Sequence, residues 1–277
     1  MAMEKLNIAI LGGTHGNELV GIEVARTLIS NPPKSHFNHF KAIIANPKAC
    51  EQKLRFIDFD LNRSFGPETK THGYEKNRSY ELRKEIEGKY DFLVDLHTTT
   101  TNMGLTLIVN HDDELSWKAA YYLKTHFSDL KIIKSLKTVP NSPYTANMVK
   151  SGLTIEVGPV SNNIINANLV LNVRKMVDLL LDFKFEAHSP LPKMDYFQTI
   201  GEITFPNPSD LLWYVHPERD RHDFKLVKKG DPLFINIKGD VINYRNDEPF
   251  YPFFINEAAY QYQNIAMSKA KLIKAAK

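Results

Sequence analysis

The chain has 277 residues, 43% hydrophobic and 24% charged, with a formal net charge of +3. That balance excludes a disordered or membrane-embedded chain and allows one large unit with a smaller appendage. The small charge, with no Lys/Arg block, argues against nucleic acid as partner, and the single cysteine, Cys50, excludes a disulfide framework and a thiolate metal cluster.

Residues 1–10 carry an early charge pair and too short an apolar run for a secretory signal. No stretch approaches the ~18 consecutive apolar residues of a membrane-spanning helix, so a cytoplasmic protein with no membrane partner is expected. Residues 6–11 read as a strand ended by Gly12 and Gly13, and 18–30 as a helix with apolar residues at 19, 22, 25, 28 and 29. Strands are expected at 41–45, 92–96, 105–109 and 153–157, and helices at 74–89, 113–127 and 164–185. This alternation predicts an α/β fold with a mixed, mostly parallel sheet flanked by helices over residues 1–187. Two prolines in 187–193 suggest a linker. Short aromatic and β-branched runs at 200–205, 211–215, 232–237 and 240–244 then predict a small C-terminal β domain within 188–277. The lysine-rich end, 268–277, reads as a short solvated tail.

The stretch Ile10 to Glu18, ILGGTHGNE, poses the first chemical question. A phosphate loop needs Lys-Ser/Thr after its glycines, whereas Asn17 and Glu18 follow here, and Gly12, Gly13 and Gly16 are out of dinucleotide-binding register. His15 and Glu18 instead place an imidazole and a carboxylate at a strand's carboxyl end, a pair that zinc accepts. His97, at the end of the buried-looking 92–96 strand, is the best third ligand. Each of these residues also has a structural reading, the histidines as hydrogen-bonded core groups and Glu18 as a helix-start acid. Glu156 lies in an otherwise apolar strand, where it serves either as a general base facing a polar cleft or as a buried partner of an arginine. Arg55, Asn62 and Arg63 share one turn-like segment and suit carboxylate binding and oxyanion stabilisation, with surface pairing to Asp58 and Asp60 as the alternative.

Taken in order, GGTHGNE, DFDLNRSF, DLHTTTTNMG, IEVGP and NEAAY resemble the aspartoacylase/succinylglutamate desuccinylase family of the zinc carboxypeptidase-like fold. The resemblance runs from about Ile8 to Tyr260. It implies one Zn2+ per subunit on His15, Glu18 and His97, Glu156 as general base and then acid, and Arg55 polarising the scissile carbonyl. Asn62, Arg63 and Tyr260 would bind substrate carboxylates. It further implies a C-terminal domain that narrows the cleft so that small N-acyl amino acids enter, and a homodimer. Asp95, on the strand face of His97, is expected to orient a ligand imidazole.

The resemblance puts N-acetylaspartate first as substrate, cleaved to acetate and L-aspartate. The alternatives are other N-acyl amino acids, aromatic or N-succinylated, and a non-catalytic carboxylate-binding protein. One departure bears on this choice. In animal members a tyrosine before the IEVGP motif is followed by an arginine that helps hold aspartate; Tyr144 matches the tyrosine, but Asn147 or Met148 stands at the arginine's place. Lys150 is the nearest substitute charge.

Overall fold

The computed structural model describes residues 5–33, 36–66, 72–136, 142–187, 190–191, 193–206 and 212–275. The first apolar run becomes β1 (Asn7–Gly12), buried on both faces after Asn7, as a central parallel strand must be. A Cβ on Gly12 would lie 2.3 Å from the Gly21 carbonyl oxygen, and Gly13 adopts φ +72. Glycine at both positions therefore lets the strand turn directly into α1 (Leu19–Ser30), which buries Val20, Val24, Ala25 and Leu28.

Next come β2 (His39–Ile44), the short α2 (Pro47–Gln52), α3 (Tyr74–Ile86) and β3 (Phe92–Thr98), the last buried up to Thr98. They are followed by β4 (Gly104–Val109), α4 (Glu114–His126), β5 (Lys131–Lys134), β6 (Gly152–Gly158) and α5 (Ala167–Asp182). The Asp113 and Asn166 side chains accept from the first turns of α4 and α5, which fixes where those helices begin. The C-terminal strands are β7 (Tyr196–Thr204), β8 (Trp213–Val215), β9 (Pro232–Asn236), β10 (Val241–Asn243), β11 (Tyr251–Phe253) and β12 (Ile265–Ile273).

The main sheet is mixed and mostly parallel on its N-terminal side, as expected. β1 pairs parallel with β2 and β3, β3 with β6 and β4 with β5, while β4 runs antiparallel to β6. One face is covered by α1, α4 and α5 through a cluster that includes Ile10, Val24, Val94, Leu123, Ile155 and Val177. On the other face Leu11 and Leu93 pack with Leu82 and Ile86 of α3.

The sheet continues past residue 187. β7 pairs parallel with β5, joining Ile133 to Phe197 and Lys134 to Gln198. β12 and β11 extend it antiparallel to nine strands in the order β11-β12-β7-β5-β4-β6-β3-β1-β2, while β10, β9 and β8 form a small antiparallel sheet. Residues 188, 189 and 192 of the expected linker lie outside the described residues.

The expected solvated tail is corrected. Residues 265–273 form β12, with Ala266, Met267 and Ala270 fully buried between β7 and β11. Lys269 and Lys271 alternate with Ser268 and Ala270, so the buried residues are small and the charges dominate the sequence signal.

Candidate metal centre and active site

Parallel pairing of β1 with β3 sets Gly12 beside Leu96, so the turn after β1 and the end of β3 converge. His15 lies in that turn, Glu18 just before α1, and His97 one residue before the end of β3; all three are at most 5% exposed. His15 Nδ1 is 2.6 Å from Glu18 Oε1, and His97 Nδ1 is 3.0 Å from Glu18 Oε2. One ligand atom from each residue falls within 4.8 Å of the others, the only such grouping of three among the described residues.

The outer nitrogens are backed by carboxylates. His15 Nε2 is 3.0 Å from Asp60 Oδ1. His97 Nε2 is 3.0 Å from Asp95 Oδ2, close enough for ion pairing, although the angle makes no directed hydrogen bond. Asp95 is itself held by Thr14 Oγ1 at 2.7 Å and Thr145 Oγ1 at 2.5 Å. Two imidazoles with inward Nδ1 atoms, outer carboxylates and one inward carboxylate make up a His2Glu donor set of the kind that catalytic zinc sites use. The residues present fit that metal.

The register of β3 with β6 puts Glu156 beside His97 on the same sheet face. Its carboxylate makes no hydrogen bond or ion pair with another described side chain, so the arginine-paired alternative is not what forms. Burial pushes the Glu156 carboxyl well above the usual range; the nearby His97 opposes this, and Glu18 and Glu257 add to it.

Arg55 donates Nη1 to Glu18 at 3.2 Å and Nη2 to Asp60 at 3.3 Å, while its Nε is buried without a partner. Burial disfavours its charge, but Asp60 and Glu18 outweigh that and raise its pKa. The pairing with Asp60 anticipated for a surface therefore exists, but inside the site. The loop is shaped by buried Glu75 of α3, whose carboxylate accepts from the N–H groups of Ile57, Asp58 and Phe59 at 2.7, 3.0 and 3.2 Å. Asn62 and Arg63 follow on the 3₁₀ turn Leu61–Arg63, which Asp60 caps by accepting from the Asn62 N–H at 2.8 Å. The Arg63 guanidinium sits 4.7 Å over the Tyr144 ring.

Tyr260 comes from the 3₁₀ turn Ala258–Gln263, and burial pushes its phenol well above the ordinary value. Glu257 ties this turn to the loop after β3, accepting from the Thr100 N–H at 2.9 Å and from the Thr99 hydroxyl. His15, Glu18, Arg55, Asn62, Arg63, His97, Tyr144, Glu156 and Tyr260 all line one cavity of about 340 Å³.

Three residues considered from the sequence lie elsewhere. The Asn147 amide donates to the Ser142 carbonyl at 3.0 Å, Met148 is 2% exposed in the core, and Lys150 is exposed away from the cavity. Asp60 and Glu257 were passed over as functional residues, although each stands inside a motif that marked the site. Their acid character gave no sign that they bridge segments.

Residues 4–184 match the family profile described as the succinylglutamate desuccinylase/aspartoacylase catalytic domain. The chain belongs to this family. Residues 192–272 match the accompanying AstE/AspA barrel-sandwich hybrid domain. The chain is 32% identical to a probable aspartoacylase of Trichodesmium erythraeum, over 97% of this chain and 98% of that one. It is 34% identical to an N-acyl-aromatic-L-amino acid amidohydrolase (carboxylate-forming) of Danio rerio, over 96% and 93%. Aspartoacylase of Mus musculus is 33% identical over 98% and 94%. The crystal structure of murine aminoacylase 3 superposes with a TM-score of 0.87 at 30% identity, covering 98% of this chain and 97% of that one. Members of the family with aspartate or aromatic amino acids in their names are thus similar to this chain to the same degree.

Proposed function

We propose that this protein is a zinc-dependent amidohydrolase that cleaves a small N-acyl amino acid to a carboxylate and the free amino acid. The observation that carries the reading is Glu156 beside His97, on the face where His15, Glu18 and His97 bring their ligand atoms together. Zinc bound by those three residues would supply a Lewis acid and make a water acidic enough to attack near neutral pH.

The chain's own groups do the rest. Glu156 takes the proton from the attacking water, and the burial that raises its pKa keeps that proton available for the leaving amine nitrogen. Arg55, held by Glu18 and Asp60, polarises the acyl carbonyl and faces the oxyanion. Asn62 turns its carbonyl oxygen to the Thr145 N–H at 3.0 Å, which leaves its amide N–H groups for the substrate carboxylate beside Arg63, Tyr144 and Tyr260.

Residues 1–187 act as the catalytic unit. The segment 188–277 narrows the cleft, since Phe253, Phe254, Glu257 and Tyr260 line the cavity with the catalytic residues. The family resemblance places N-acetylaspartate first among substrates, with N-acyl aromatic and N-succinylated amino acids as alternatives for the same centre. Cytoplasmic residence suits a single buried thiol and the absence of any described helix long and apolar enough to cross a membrane.

Glu156→Gln separates hydrolysis from mere carboxylate binding. The variant keeps zinc and loses at least roughly 10²-fold in kcat. Wild-type kcat in the variant would remove Glu156 from the chemistry.

A further inference from the structure

The cavity extends well beyond the catalytic groups, and its far part has a definite chemical character. Sheet register sets its direction. Thr154 follows Glu156 two residues back along β6, Ile108 of β4 pairs with Thr154, and Ile133 of β5 pairs with Ile108. Two strand residues and two strand spacings put Ile133 roughly 12 Å from Glu156 in backbone terms. Ala146, two residues after Tyr144 in the 3₁₀ turn Thr145–Met148, also lines the cavity, so this lobe opens beside the proposed carboxylate clamp. A bound amino acid with its carboxylate on Arg63 and Tyr144 would have this lobe within reach of its side chain.

The lobe is walled by apolar groups from both parts of the chain. Ile108, Ile133, Phe253, Phe254 and Tyr260 belong to one hydrophobic cluster and line the cavity, and Leu136 stands at its rim. Polar groups also line this part, Asn110, Thr154, Thr199 and Ser268 among them, and Asn110 Nδ2 donates to Thr154 Oγ1 at 3.0 Å.

The charges lining the cavity point the same way. Arg55 and Arg63 are its only Lys/Arg side chains among the described residues, against the carboxylates of Glu18, Glu156, Glu202 and Glu257. Arg55 is committed to Glu18 and Asp60. Arg63 therefore remains for one substrate carboxylate. A second carboxylate in the lobe would be desolvated against isoleucine and phenylalanine with no cation to receive it.

We infer that the lobe selects N-acyl amino acids with an uncharged, extended apolar side chain and discriminates against dicarboxylates such as N-acetylaspartate, with Ile108 and Ile133 as the specificity-determining residues. This inference rests on the deacylase reading above. It differs in substrate from what the family resemblance puts first.

The test is kcat/KM of the zinc-loaded protein on a series sharing one acyl group: N-acetyl-alanine, -leucine, -phenylalanine, -aspartate and -glutamate. Leucine and phenylalanine derivatives exceed alanine, and they exceed aspartate by at least roughly a hundredfold. Aspartate equal to or above phenylalanine would overturn the inference while leaving the deacylase reading intact, whereas no turnover of any member would overturn the deacylase reading itself. In Ile108→Arg, checked for a wild-type thermal melt, the new cation narrows the aspartate deficit by at least roughly tenfold and lowers turnover of the phenylalanine derivative. Leu136→Arg, at a 53% exposed rim position that tolerates charge, repeats the test without touching the packed wall. Unchanged selectivity in both variants would place the side chain outside the lobe.

Discussion

Asp60 joins three parts of the site through one carboxylate. Oδ1 lies 3.0 Å from His15 Nε2 and accepts the Asn62 N–H at 2.8 Å, while Oδ2 accepts from Arg55 at 3.3 Å. Burial alone would raise its pKa, but His15, then Arg55 and Arg63, bring it well below the usual carboxylate range. An outer-sphere carboxylate of this kind typically changes metal affinity by roughly 10 to 100-fold. Asp60→Ala should therefore weaken zinc binding by that factor in a chelator competition. It should also raise KM, because the cap of the turn carrying Asn62 and Arg63 is lost. Wild-type zinc affinity in this variant would show that His15 needs no such support. The convergence of His15, Glu18 and His97 was legible in the sequence because strand ends marked them. The bridging role of Asp60 was not, since an acid between two arginines reads equally well as a surface ion pair.

Among the elements, β1, α1, β3 and β6 were legible because their burial is written in simple periods: an apolar run closed by glycines, a helical stripe, and two apolar strands interrupted by polar residues at the site, Asp95 and His97 in β3 and Thr154 and Glu156 in β6. β5 and β12 were not. β5 is a four-residue strand with lysine at both ends, and β12 buries Ala266, Met267 and Ser268 ahead of Lys269, and Ala270 between Lys269 and Lys271. Each draws its stability from neighbouring strands, information that local composition does not hold. The same limit hid the turn Ala258–Gln263, which Glu257 fixes against Thr99 and Thr100 from more than 150 residues away in sequence. Tyr260 could be named from its motif, but the contact that places it could not.

Over the whole molecule, the C-terminal strands extend the catalytic sheet, and a second buried carboxylate reinforces the junction. Asp223 accepts from the Asn102 N–H and the Ile255 N–H, each at 3.1 Å, linking the loop after β3 to the segment after β11. Burial pushes its pKa up to about 6. The folded form thus binds this proton more tightly than the unfolded chain does. The resulting stabilisation is complete below about pH 4 and is lost as pH rises through about 6, a change of up to roughly 3 kcal/mol. Urea unfolding of wild type and Asp223→Asn between pH 4 and 7.5 checks this. Their stability difference should shift in favour of the variant as pH rises, and a constant difference would mean that Asp223 titrates normally.

The central claim, hydrolysis of an N-acyl amino acid at a metal held by His15, Glu18 and His97, is tested most directly by counting metal and product together. The protein is stripped with a chelator, reloaded with increasing zinc, and assayed for release of carboxylate and amino acid from N-acetyl-phenylalanine. The account predicts saturation at one zinc per chain, turnover proportional to occupancy, equimolar products, and neither tight zinc binding nor turnover in His15→Ala. Full turnover by stripped protein, or by His15→Ala, would contradict it.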